Sequence, residues 1–491
     1  MTLSRRRFLG GAAATGVLLA AGCSDDGSSS GPATTRPRPD AGAARRVVVV
    51  GAGLAGLTTA LDLTDAGWDV VVIEARDRAG GRVYTVPVDF ERSLHAELGG
   101  ESIDDNHHAL LAMLNRFDLR TERRLEGRES TGVVYRQGRR SGIAEFVAQR
   151  GGQVLEDYDR FDILLARTAE GIDPEHPERS PRAEELDARS AADLIDQLDP
   201  VPEARFLIES DTRSYYNAEP TDLSLLFLAQ QWGVTADVPY GAEETMRIAG
   251  GNGQLPAAMS AALDGVVQFG HPVRSVIHDD AGVRVATDLD VAPIDAAHLV
   301  LALPPRPLRD VRFDPVLPTA VATMVDGLDL GPAAKVITEY ERPFWRDEGR
   351  SGLTVADLPF GVTWDAADSY DTGGPGLLTA FITGDAAVAL GALGEEERIA
   401  EVQRQIDEVY PEGRGLRTGS SATLAWGNEA FTGGGYSAYA PGQVLPYWPA
   451  LREPTGRIHF AGEHTEALAG YMESAVRSGH RIATEIGPPP G

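Results

Sequence analysis

The stretch from Arg46 to Arg82 constrains this chain more than any other. Val47, Val48, Val49 and Val50 form a short uninterrupted apolar run, which is what a parallel strand covered on both faces requires. Gly51, Gly53 and Gly56 follow at once in G-x-G-x-x-G spacing, with Ala55 between the last two. The pattern predicts a helix over 54–66 and a second strand over 69–73 that closes on Glu74. In such a turn the glycines let the backbone approach a pyrophosphate and the helix N-terminus aims its unpaired N–H groups at the negative charge. An acid ending the second strand accepts from a ribose hydroxyl. A G-x-G-x-x-G alone is a weak signal; here strand, helix and acid all stand where dinucleotide binding needs them.

The next residues narrow the ligand. Glu74, Ala75 and Arg76 run on to Gly81 and Arg82 in a segment that resembles the extension found in the FAD-dependent amine oxidase family, the group of monoamine, polyamine and L-amino-acid oxidases. The resemblance implies that this segment follows the cofactor's ribose and phosphates. Further motifs carry it along the chain. Glu97 to Ile103, with the pair Gly99 and Gly100 followed by Glu101, resembles the family's strand and turn beside the flavin ring. Val273 falls where a main-chain contact to adenine is expected, and Trp426 where an indole packs along the flavin. Residues 457–465 and 470–479 resemble the C-terminal flavin motif of monoamine oxidases and bring in Gly462, Glu463, Tyr471 and Met472. A helix over 471–486 would start at the pyrimidine edge of the flavin, favouring the anionic reduced ring by about 0.3–1 kcal/mol. Gly435 stands where some monoamine oxidases carry a cysteine bonded to flavin, which implies non-covalent FAD.

The implied fold class is α/β. A Rossmann-like FAD domain is assembled from residues 45–130, 245–310 and 425–487, and an α+β substrate domain with a mixed or antiparallel sheet from 131–244 and 311–424. Helical spacing occurs at 107–117, 153–169, 188–198, 222–232, 256–263 and 395–409, and short strands are expected at 246–248, 266–269, 273–277 and 298–303. Period-two patterns mark strands at 334–340, 353–356 and 377–382.

The N-terminus reads differently. Ser4, Arg5, Arg6, Arg7, Phe8 and Leu9 precede an apolar, uncharged run over 10–22 that is too short for a permanent membrane span. Residues 1–23 therefore resemble a twin-arginine export signal. Cys23, the only cysteine of 491 residues, ends it in what resembles a lipoprotein cleavage box. The expectation is an exported protein anchored by a lipid on Cys23, or else an ordinary signal cut nearby. Residues 24–44, rich in Ser, Gly, Pro and Asp, read as a flexible tether. The 45 basic against 73 acidic residues give a net charge of −28, which argues against nucleic acid as a partner.

One compositional detail bears on chemistry: Lys335 is the only lysine, the other 44 basic residues being arginine. A compact ammonium does work that a planar guanidinium cannot. By resemblance Lys335 matches the family lysine that holds a water against flavin N5 and assists the reaction with oxygen. Tyr436 and Tyr471 match two tyrosines that face each other as an aromatic cage and guide an amine toward N5. These three are the expected catalytic residues. The implied reaction passes a hydride from the amine-bearing carbon to FAD, followed by imine hydrolysis and reoxidation by O2 to peroxide.

The substrate is less constrained. Amino-acid oxidases of the superfamily place an arginine near the position of Ser102, which argues for an amine; Arg213 or another arginine could replace it. Glu101, Asp104, Glu243 and Glu244 could instead meet the distal cation of a diamine or polyamine. His107, His108 and His464 have no metal-ligand spacing, and no metal is expected. Three readings stand: an amine oxidase, an L-amino-acid oxidase, and a non-catalytic FAD-binding lipoprotein, the last disfavoured by the lysine and the tyrosine pair.

Overall fold

The computed structural model describes residues 42–86, 90, 94–124, 131–236, 243–288, 291–368 and 373–490. The export-signal and lipidation readings, with Cys23 and nearly all of the tether, lie outside the described residues.

The valine run forms the strand Arg46–Val50, in the middle of a five-stranded sheet. Its order is Ile458–Phe460, His298–Leu301, Arg46–Val50, Asp69–Ile73, Val267–Gln268, and every pairing is parallel. Strands far apart in the chain are thus neighbours, and Val47 to Val50 are all buried, as the uninterrupted apolar run demands. The helix Leu54–Asp65 covers one face and packs against the C-terminal helix Met472–Ile486. Leu54, Leu57 and Leu61 share a core with Val476 and Ile482. The two helices meet at Gly479, where a Cβ would lie 2.7 Å from the Ala55 carbonyl oxygen.

A seven-stranded mixed sheet forms the second layer, ordered Arg417–Ala425, Ala333–Tyr340, Gly376–Thr383, Val362–Asp365, Thr354–Ala356, Val133–Arg136, Arg139–Gly142. All its pairings are antiparallel except that of Thr354–Ala356 with Val133–Arg136. The strand expected over 334–340 is present as Ala333–Tyr340, and all eight of its residues are buried. Both faces are covered. Ala334, Val336 and Tyr340 pack under the helices Gly384–Gly391 and Glu395–Val409, while Ile337 packs with Val86, Leu94 and Leu98.

Helices supply the remaining wall. Gln153–Ala169, Ala191–Leu198, Pro202–Tyr216 and Leu225–Thr235 share a core of Tyr158, Leu165, Leu194, Leu207, Ile208 and Leu228. The expected helix over 188–198 is shorter because Ser190 caps it, its hydroxyl accepting from the Asp193 N–H in a capping box. Pro202–Tyr216 is an additional helix whose proline sits at the first turn, where no N–H is needed.

Candidate active site

A cleft with about 2420 Å³ of empty space, including the part open to solvent, runs from the valine strand to the seven-stranded sheet. Its lining runs from Gly51 and Glu74 to Lys335 and Tyr436, so one continuous cleft is open to an extended dinucleotide. All the expected catalytic and FAD-binding residues line it except Gly56. A Cβ on Gly56 would lie 2.0 Å from the Gly51 carbonyl oxygen, so this glycine lets helix and strand approach and touches no ligand. Gly53 is the reverse case: a Cβ there would meet nothing within 4 Å, because the space before it is kept for something else. Glu74 is buried and accepts from the Ala52 N–H at 2.8 Å and the Arg76 N–H at 2.9 Å. Each oxygen keeps a lone pair for a hydroxyl.

An ion pair from Arg82 ties the far wall to this turn. Arg82 Nη1 donates to Glu463 Oε1 at 2.6 Å and to the Gly435 carbonyl at 3.0 Å. Glu463 also accepts from the Ser437 N–H and hydroxyl and from the Gly470 N–H. Burial would raise its carboxyl, but Arg82, His464 and the Gly470 N–H together outweigh burial and hold it below the ordinary range. Arg76 donates to Thr432 Oγ1 at 2.7 Å and lies 5.5 Å from the Phe431 ring, so it fastens the 429–432 loop. Trp426 donates its indole N–H to the Leu98 carbonyl at 2.8 Å. Tyr471 and Met472, at the N-terminus of Met472–Ile486, line the cleft beside Gly100.

Lys335 projects from Ala333–Tyr340 into this space. Its ammonium donates to the carbonyls of Glu97 and Gly99, each at 3.0 Å, and to Glu101 Oε2 at 3.1 Å. Tyr436 donates its hydroxyl to the Ser214 carbonyl at 2.8 Å, and burial raises its phenol well above the ordinary value. Tyr471 meets His107 edge-on at 5.1 Å between ring centres, and burial pushes that imidazole down to about 4.

Of the acids considered for a distal cation, Glu101 and Glu244 line the cleft, whereas Asp104 and Glu243 are not among its lining residues. Arg213 is no carboxylate anchor: it pairs with Glu219 at 2.7 Å, away from the cleft lining. Sequence reasoning missed Arg124. This buried arginine lines the cleft, donates to Ser102 Oγ at 3.2 Å, and pairs with buried Asp368 at 3.1 Å. It reaches Ser102 because Ile103 bridges Met246 and the Arg124 N–H bonds the Thr245 carbonyl, a tertiary pairing that no local pattern reports. Trp364, which donates to Glu101 Oε1 at 3.0 Å, was missed for the same reason.

Comparison with known proteins now bears on this cleft. Residues 54–487 match the sequence profile of the family described as flavin containing amine oxidoreductases. The chain belongs to that family. It is 32% identical over 449 residues to flavin-containing monoamine oxidase AofH of Mycobacterium tuberculosis, covering 90% of this chain and 96% of that one. It is 29% identical to an L-amino acid dehydrogenase of Synechocystis sp., with 89% and 94% covered. A putrescine oxidase solved with bound putrescine superposes with a TM-score of 0.81 at 29% identity, covering 90% of this chain and 98% of that one. The protein is thus a flavin-containing oxidoreductase with FAD as its cofactor. The open space before Gly53 and the free lone pairs of Glu74 fit the pyrophosphate and ribose of FAD, and Gly99, Gly100, Trp426 and Met472 would border its ring.

Two outcomes follow for the cofactor-binding wall. Arg82→Met leaves Glu463 buried without its cation and should cost about 3–5 kcal/mol; thermal melting and the flavin-to-protein absorbance ratio after gel filtration should both fall. Burial, reinforced by Glu101 and opposed by the Asn252 N–H, Thr85 and Lys335, pushes Glu97 up to about 7. The folded state therefore keeps a proton that the unfolded chain has released, and this stabilisation is lost as pH rises from the ordinary carboxylate range through about 7. Glu97→Gln should gain in melting temperature relative to the parent between about pH 5 and pH 8; a constant difference would contradict the assignment.

Proposed function

We propose that the protein is an FAD-dependent oxidase that converts an amine, O2 and water to an aldehyde or ketone, ammonia or a smaller amine, and H2O2. Non-covalently held FAD supplies the hydride acceptor. The observation that carries this reading is that one cleft gathers the dinucleotide turn, the only lysine and both tyrosines. Leu353, Val362, Trp364 and Phe381 give that end an apolar lining which excludes water from a neutral amine. Tyr436, fixed by Ser214, and Tyr471, backed by a neutral His107, are suited to orient the amine by their ring faces. Non-covalent attachment is supported at Gly435, where a Cβ would lie 2.5 Å from Asn217 Nδ2, leaving no room for a linking cysteine.

A second reading, an L-amino acid as substrate, draws on Arg124. Its guanidinium lies against Ser102, the position where a carboxylate-binding cation is expected. Asp368 offsets that charge, which leaves the amine reading ahead. A peroxide assay of the FAD-loaded protein on paired substrates decides between them: phenethylamine with phenylalanine, putrescine with ornithine. Turnover of the amines is the expected result. Turnover of the amino acids alone would transfer the assignment to Arg124, and silence on both would favour the non-catalytic reading.

We further infer that the protein is exported by the twin-arginine route and held at a membrane surface through lipidated Cys23, on the strength of residues 4–23. Cys23→Ser should shift it from the membrane to the soluble fraction of fractionated cells. An unchanged distribution would exclude the anchor.

A further inference from the structure

Lys335 and Glu101 form an enclosed ion pair of the cleft, their side chains 7% and 5% exposed. A primary ammonium has three N–H donors. Glu97, Gly99 and Glu101 take all three, at 3.0, 3.0 and 3.1 Å. The second oxygen of Glu101 accepts from the Trp364 indole at 3.0 Å, with Arg247 Nη1 at 3.5 Å. The ammonium lies 5.1 Å from the Trp364 ring centre and 5.9 Å from that of Phe381. Three donors converge on one carboxylate, so a glutamine, with a single acceptor oxygen, could not replace it without opposing an NH2 group to a donor. Burial works against the charge on Glu101, but Lys335, Arg124 and Arg247 hold its carboxyl down at about 2.

A cation beside a reacting centre stabilises negative charge arriving there, and it does so most in a water-excluded site. A cation with an anion bonded to it acts at a distance only as a dipole, and a lysine with every N–H engaged has none to offer a water. We propose that Glu101 is a positioning residue that clamps Lys335 and thereby limits the rate at which the reduced enzyme is reoxidised by O2. The inference rests on the oxidase reading above. In the step concerned, two electrons and two protons pass from the reduced cofactor to O2, which becomes H2O2; Glu101 and Lys335 exchange no proton with either.

The test needs no amine substrate. FAD-loaded protein is reduced with dithionite without air, mixed rapidly with oxygenated buffer, and its return to the oxidised spectrum timed. Failure to oxidise any amine would leave this measurement standing. Glu101→Gln should reoxidise about tenfold faster than the parent. In a Lys335→Met background the same change should alter the rate by no more than about twofold, because its effect passes through the lysine. A second readout is independent of turnover. Because Lys335 is the only lysine, labelling with nitrogen-15 lysine yields one ammonium signal in the magnetic resonance spectrum. It should be sharp and protected from exchange in the parent and broadened in Glu101→Gln. A rate that is unchanged or slower in Glu101→Gln, an equal acceleration in the Lys335→Met background, or a rapidly exchanging ammonium in the parent would each overturn the proposal.

Discussion

The contact between Arg82 and Glu463 joins the two ends of the chain, and the cleft exists because it holds. Glu463 is almost wholly buried and receives four donors, from residues 82, 437 and 470. An ion pair of this kind adds little net stability, since desolvation offsets attraction. What it supplies is direction: the dinucleotide turn, the loop carrying Tyr436 and the helix start carrying Tyr471 are fixed to one carboxylate.

A second buried network governs the other end. Lys335, Arg124 and Arg247 interlock with Glu101, Asp368 and Glu122, while Asp368 joins both arginines. Each ion is surrounded by opposite charge, which is the condition under which a dry pocket tolerates ions. A group turned in this pocket would leave a neighbour unpaired, so the network restrains its members more firmly than packing would.

The cofactor half of the fold was legible because its signals are local. The strand Asp69–Ile73 coincides with its sequence expectation, and Glu74 follows it where a ribose partner is needed. The substrate half was less legible for physical reasons. Pro202–Tyr216 carries half-buried Phe206 and Tyr215 beside buried Leu207, Ile208 and Tyr216, so its period is blurred. The alternation along Ala333–Tyr340 gave the strand but not the covering of both faces, which depends on helices from elsewhere. Arg124 and Ser102 become partners through a strand pairing formed only in the folded chain.

The order of strands in the parallel sheet bears on how the protein is made. Arg46–Val50 is flanked by His298–Leu301 and Asp69–Ile73, and the edge strand Ile458–Phe460 comes from close to the other terminus. Such long-range pairings are slow to form, because loop closure precedes any reward from contact. A ribosome releasing this chain delivers Arg82 long before Glu463, so the nascent protein emerges with half a nucleotide site and no partner for it. The cleft closes only after synthesis is nearly finished, and the capture of FAD belongs to the last stage of folding rather than to its beginning.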